Sequence, residues 1–305
     1  MCEVINLLES NALELEYVSE CARLMSSQIQ GDFKLVIKHH WQPLPPPENK
    51  WVGVINLSDE SHGVPVEVLR PDVAVIFQPY YILDRWDLPF HNPKIRPFPL
   101  GLTNGFQAQP LPIKDRTYDA CFSGNISDTG SRNMFKTHID NVCDLGKYNI
   151  SMNYTDGFHS GMPKDKYAQM LGESKIAFCP AGAISRETFR FYEALASGCV
   201  IIGDTLPKLW FYEPLVFFPV KWHSVEKTIE FVLSLGDEEM QKISDRNLKL
   251  CEDMLSPQPI SNYMVNEINK IMDCVEQKKT LDIDPTIISM AQAKVNNIGG
   301  SVVSK

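Results

Sequence analysis

Apolar residues along this chain recur in short runs of strand length, separated by stretches whose apolar positions repeat with a helical period. In the first third the runs are KLVIKHHW (34–41), WVGVINLSDE (51–60), DVAVIFQPYY (72–81) and KIRPFPLG (94–101). Ahead of them, residues 9–29 put Leu13, Tyr17, Cys21 and Leu24 on one helical face. A second series runs through YDACFSG (118–124), YNISMNY (148–154), KIAFCPAG (175–182), CVIIGD (199–204) and LVFFPV (215–220). Between and after these, helices are predicted over 131–146, 164–174, 186–197, 224–236, 237–255 and 260–275. Ser131 is expected to cap the first, and Gly146 and Gly198 to stop the first and third. Strands alternating with helices predict an α/β protein built on parallel sheets.

The two series are separated by QAQPLPIKDR (107–116), whose prolines disfavour helix and central strand. The expected organisation is therefore a Rossmann-like domain over 1–106, a linker over 107–116 and a second Rossmann-like domain over 117–260. A C-terminal helix over 261–278 and a polar tail over 279–305 follow. Two such domains would face a cleft, with ligands outside the carboxyl ends of the strands.

The predicted helix over 186–197 is unusual because it is almost wholly apolar yet carries Arg186, Arg190 and Glu193 at i, i+4 and i+7. Two readings stay open from the helix alone. The stripe is a solvated face with a weak ion pair, or it lines a cleft where cations meet phosphates and a carboxylate meets sugar hydroxyls. Nearby strand ends bear on the choice. CFSGN ends its strand at Ser123, Gly124 and Asn125, where a glycine permits close approach and the next helix start offers free amides to an anion. Arg132 falls in the first turn of that helix, a position the dipole disfavours for a cation unless it faces an anion. The loop Ala181, Gly182, Ala183 brings the Arg186 end of the stripe to the same place.

Composition narrows the class. The chain of 305 residues has a net charge of −9, which argues against nucleic acid or anionic lipid as the main partner. No apolar run reaches the roughly 20 residues of a membrane span, and the first residues lack the basic start of a signal peptide. The eight cysteines form no CxxC pair, and Cys121, Cys179 and Cys199 sit in apolar runs as small core residues suited to a reducing cytoplasm. No histidine pattern suggests a metal site.

The stretch YAQMLGESKIAFCPAGAISRETFRFYEALASGCVIIGD (167–204) resembles the C-terminal half of exostosin-like glycosyltransferases, and more broadly of GT-B glycosyltransferases. The joined string R-F-Y-E-A-L-A-x-G-C (190–199) is its most specific part, and RPFPLGLTNGF (96–106) is similar to the family's segment before the second domain. The resemblance implies that Arg190 contacts the donor's phosphates, Glu193 the ribose hydroxyls, and Gly124 and Arg132 the diphosphate. It implies transfer of a sugar from a nucleotide-sugar donor to a saccharide or glycolipid acceptor, with no cofactor. Two features depart from the family. Ser185 stands where a retaining enzyme has its first glutamate, with Glu187 displaced by two, and Val200 replaces a proline. The first points to an inverting reaction. Animal exostosins are membrane-anchored, so the expected type is a soluble bacterial or viral one.

An inverting enzyme needs a base for the acceptor hydroxyl. NLSDESHG, at the end of an apolar strand, offers Asp59, then Glu60, with His62, His39 and His40 behind them; an ordinary acidic loop is the other reading. The sole D-x-D pair, Asp282 and Asp284, falls in the polar tail, so metal independence is expected. Two other functions remain open: a GT-B epimerase or hydrolase acting on the nucleotide sugar, and a non-catalytic nucleotide- or glycan-binding subunit.

Overall fold

A computed structural model describes residues 2–57, 64–80, 92–126, 130–157, 160–183 and 185–276. Its first sheet holds β1 (Glu3–Asn6), β2 (Phe33–His39), β3 (Trp51–Leu57), β4 (Val73–Gln78) and β5 (Ile95–Pro97), all parallel and in that spatial order. The runs β2, β3 and β4 are buried almost throughout because both faces of the sheet are covered. On one face, α1 (Leu15–Ser26) contributes Val18, Cys21 and Met25, which pack on Leu35, Ile37 and Phe77. The last helix of the described chain, α7 (Pro257–Glu276), returns from the second sheet to complete this core with Met264 and Ile268. Arg96 of β5 is paired with Glu267 of α7 at 2.5 Å. On the opposite face a smaller cluster joins Val36, Val54 and Ile76. β1 was not foreseen: its residues EVIN are mostly exposed at the sheet edge, so they show no apolar run.

The second sheet contains β6 (Tyr118–Asn125), β7 (Ile150–Thr155), β8 (Ser174–Cys179), β9 (Val200–Gly203) and β10 (Phe218–Pro219). Their spatial order is β10-β9-β8-β6-β7, and all pairs are parallel. Connecting elements are α2 (Gly130–Asp144), α3 (Lys164–Gly172) and α4 (Phe189–Ala196), with α5 (Val225–Ser234) and α6 (Gly236–Leu250) after β10. Alternate residues of each strand serve two cores. Cys121, Ala177 and Ile201 face α3 and α4, while Phe122, Phe178 and Ile202 face α2 and α5. In strand-number terms the order is 2-1-3-4-5, so it reverses between β6 and β8. Such a switch point is where an open α/β sheet leaves a crevice for ligand.

Two features of local structure differ from expectation. Ser131 lies inside the first turn of α2 rather than capping it, and its hydroxyl donates to Asp204 at 2.9 Å. α4 begins at Phe189, three residues later than its periodicity suggested, because Thr188 holds an extended backbone (φ −142°, ψ 148°). Its end is as expected. Gly198 takes φ +66°, its amide donates to Leu195 and that of Cys199 to Ala194, closing the turn as a Schellman motif.

The carboxyl ends of the first sheet meet the second domain. Tyr80, just past β4, and Leu100, past β5, belong to the cluster around Tyr192 and Leu195 of α4. The segment Thr103, Asn104, Gly105 is stapled to the start of α1 by four bonds. The Asn104 amide donates to the Leu13 carbonyl at 2.7 Å and its side-chain NH₂ to Ala12, while its Oδ1 accepts from the Glu16 amide and Gly105 donates to Glu16. Tyr17 of α1 donates to the Leu255 carbonyl at 2.7 Å, and a Cβ on Gly101 would meet the Tyr17 ring at 2.3 Å. That position requires glycine for space as well as for its φ of +72°. Among the described residues no helix is long and apolar enough to cross a membrane.

Candidate functional site

The switch point gathers most of the residues singled out above. Gly124 and Asn125 close β6, Arg132 rises from the first turn of α2, Gly182 follows β8, and Arg190 and Glu193 lie on α4. Arg190 is the centre of the group. Its Nε donates to the Ser123 carbonyl at 2.9 Å, and its guanidinium carbon stands 4.4 Å above the Phe122 ring. Gly124 makes room for it. With φ +149°, a Cβ there would fall 2.0 Å from Arg190 Nη2. The group lying against the bare backbone of Gly124 is the arginine itself. The remaining terminus, Nη1, is buried and has no hydrogen-bond partner among the described residues. A buried N–H of a cation left without an acceptor is costly, and an anion entering the crevice would satisfy it.

Arg132 does something different. Its Nε donates to the Ala181 carbonyl and its Nη1 to that of Asn125, both at 3.0 Å, so it ties the ends of β8 and β6 together across the switch point. The Gly182 amide donates to the Ser185 carbonyl at 2.7 Å, turning the loop back before α4. The helical placement of Arg186 is corrected. Because the helix starts late, Arg186 sits outside it, exposed, with Nη1 3.4 Å from the Thr205 carbonyl. The three-residue stripe is therefore reduced to Arg190 and Glu193.

Glu193 is buried and accepts from the Thr103 hydroxyl at 2.6 Å, which ties α4 to the segment leaving the first sheet. Burial pushes its carboxyl above the usual 4.5, and the Thr103 bond and the Arg190 charge offset this only in part. An acid with a raised pKa holds its proton more tightly in the folded chain than in the unfolded one. Stability should therefore fall as pH rises from about 4.5 through that raised value. Glu193→Gln should flatten this slope, as read from urea unfolding at about pH 4.5 and about pH 8. An unchanged slope in the variant would assign the pH dependence to another group.

Several residues that order this site were given no such role from the sequence. Asp204, just past β9, accepts from the Ala181 amide (2.8 Å), Ser131 Oγ (2.9 Å) and Trp222 Nε1 (3.1 Å), fixing the loop after β8. Its signal was available: a carboxylate at the end of an apolar run, the same one that drew attention to Asp59. Glu187 is buried and accepts from the Tyr212 hydroxyl at 2.6 Å; Tyr212 is in turn hydrogen-bonded to Tyr192, whose oxygen accepts from the Leu100 amide. That chain joins the loop before α4 to the first domain. Asp59, Glu60 and His62 lie outside the described residues, as does the D-x-D pair. Burial pushes the Cys199 thiol up to about 11 and the Cys179 thiol up to about 12, consistent with inert core positions.

No protein-family model matches the chain, and no curated protein matches its sequence. Solved structures do match its shape. A glycosyltransferase from Rickettsia africae ESF-5 superposes with a TM-score of 0.52 at 10% identity, over 89% of this chain and 98% of that one. AviGT4, a glycosyltransferase involved in avilamycin A biosynthesis, gives 0.45 at 10% identity, over 85% of this chain and 78% of that one. The GtfA/B complex gives 0.47 at 11%, over 85% of this chain and 61% of that one. The chain has a GT-B-like fold, with two parallel sheets and their covering helices.

Proposed function

We propose that the chain is a glycosyltransferase that moves a sugar from a nucleotide-sugar donor to a saccharide or glycolipid acceptor, by an inverting and metal-independent route. The observation that carries this reading is the buried Nη1 of Arg190 at the switch point of the second sheet, a guanidinium N–H with no acceptor among the described residues. A nucleoside diphosphate matches it, with phosphate on Arg190 and on the free amides at the start of α2. Within this reading Arg132 holds the two loops in place and adds positive potential, while Glu193, on the same helix as Arg190, serves the ribose. The 190–199 string allies the chain with the exostosin-like branch and with polysaccharide biosynthesis.

In the reaction, the acceptor oxygen bonds to the anomeric carbon as the bond from that carbon to the diphosphate oxygen breaks. The acceptor proton passes to a carboxylate, assigned here to Asp59 or Glu60, two and three residues beyond the end of β3. The leaving diphosphate takes the electron pair, and its charge is met by Arg190 and the helix amides. A thermal-shift screen against uridine, guanosine, cytidine and thymidine diphosphates tests the reading. Stabilisation by at least one is expected, and none by any of the four overturns it. Because side-chain cations meet the leaving charge, transfer should continue in excess EDTA. Loss of activity that manganese restores would contradict the metal-independent route. The free thiols and the acidic balance accord with a cytoplasmic location.

A further inference from the structure

Trp41 is 61% exposed, yet it is held firmly. It follows the carboxyl end of β2, where residues 39–42 turn and are pinned by four bonds. The His39 amide donates to Gln42 Oε1 at 2.8 Å and the Gln42 amide to the His39 carbonyl at 3.0 Å. Gln42 Nε2 donates to the Leu7 carbonyl at 2.6 Å, and the His40 amide to that of Leu57 at 3.0 Å. The indole stacks on the His39 ring, 4.3 Å between centroids and 9° from parallel, and meets the His40 ring edge-on at 4.7 Å.

Beneath the turn lies a buried cation. Lys38 is fully enclosed; its Nζ reaches Glu67 at 2.8 Å, Asn56 Oδ1 at 3.1 Å and the His40 carbonyl at 3.4 Å. Replacing such a pair by apolar residues is often neutral or stabilising, so stability alone does not account for it. It does fix the base of the turn. Nor does burial account for the tryptophan, since most of its surface stays in water. A rigid aromatic surface prepared in advance and left open is what a binding site requires.

The location agrees. Tyr80 and Leu100, at the carboxyl ends of β4 and β5, abut α4 of the second domain. β2 lies two strands from β4 in the same parallel sheet, about 10 Å at the usual strand spacing. The turn therefore stands at the same carboxyl edge of the sheet as Tyr80 and Leu100, the edge that abuts α4.

We infer that the His39–Trp41 pair is the platform on which the acceptor saccharide is seated, with the indole against the C–H face of a pyranose ring. The inference rests on the transferase reading, which demands a second substrate that is not a nucleotide. A pyranose presents one face of C–H groups and a rim of hydroxyls, so a flat, partly wetted aromatic surface suits it better than a lipid chain or a charged peptide. The imidazole of His39, stacked parallel on one face of the indole, backs it and holds its orientation.

Cellotetraose, maltotetraose and chitotetraose, which differ in linkage and substituents, serve as probes in saturation-transfer NMR and fluorescence titration. At least one should bind the wild-type chain, and Trp41→Ala should weaken it about tenfold or more. Trp41→Phe should recover much of the loss because it restores an aromatic face. Nucleoside diphosphate affinity should be the same in all three chains, which also shows that the variants are folded. Equal tetraose affinity in Trp41→Ala overturns the platform, as does failure of all three tetraoses to bind a wild-type chain that still binds nucleoside diphosphate. Failure of both ligand classes in the wild-type chain overturns the transferase reading and the platform with it.

Discussion

Arg190→Ala is expected to weaken nucleoside diphosphate binding by about 1.5–3 kcal/mol, or about 10- to 150-fold in Kd, the worth of a charge-assisted hydrogen bond. The same variant should lose little stability. Among the described residues Arg190 makes one hydrogen bond, to the Ser123 carbonyl, and its buried Nη1 has no partner. Its removal therefore gives up one bond and one contact with Phe122 while relieving an unsatisfied buried cation. Isothermal titration against the diphosphate selected by thermal shift, with urea unfolding of the same samples, separates the two effects. Arg190→Lys should also bind poorly, because an ammonium cannot hold Ser123 and a phosphate in one plane. Gly124→Ala should behave similarly by another route: its new methyl would fall 2.0 Å from Nη2 and drive the guanidinium from its seat. Full affinity in Arg190→Ala, with the fold intact, would remove the phosphate role and the observation on which the transferase reading stands.

How far these features were legible in the sequence depended on whether their cause was local. β2, β3, β4, β6, β8 and β9 were legible because strands covered on both faces carry runs of apolar residues, and that demand is written in the local sequence. β1 escaped because an edge strand makes no such demand. The glycine stop at Gly198 was legible since left-handed backbone favours glycine whatever lies around it. The start of α4 was not. Arg186 shares the helical spacing of Arg190, but the extended backbone at Thr188 and the buried side chains of Ser185 and Glu187 hold residues 185–188 out of the helix. The switch point itself depends on which strands become neighbours, and β6 pairing with both β7 and β8 leaves no mark on either one. The return of α7 to the first sheet is a similar case. Its apolar face announced that something must cover it, without saying what.

Arg116 shows the same limit and carries the sharpest contrast with Arg190. In the sequence it is one more charge at the end of a proline-rich linker, and nothing marks it. In the fold it is 5% exposed and donates to three backbone carbonyls: Leu111 from Nε at 2.8 Å, Ser174 from Nη1 at 2.8 Å and Ser197 from Nη2 at 3.0 Å. These belong to the linker, the start of β8 and the residue ending α4, so one guanidinium ties together three elements. Arg116→Met should leave buried carbonyls without donors and cost about 3–5 kcal/mol. The thermal midpoint should fall on the order of 10 °C. Arg116→Lys should fall between, since a single ammonium cannot span all three carbonyls. Nucleoside diphosphate affinity of Arg116→Lys, measured where it is still folded, should match the wild type. Ser174 opens β8, so its carbonyl lies at the end of the sheet opposite the crevice. Two buried or half-buried arginines, one ending the linker and one on α4, are thus expected to give opposite results, Arg116 governing stability without affinity and Arg190 affinity without stability. A thermal midpoint unchanged in Arg116→Met would mean that water replaces the guanidinium at all three carbonyls, and Arg116 would lose its place as the tie between them.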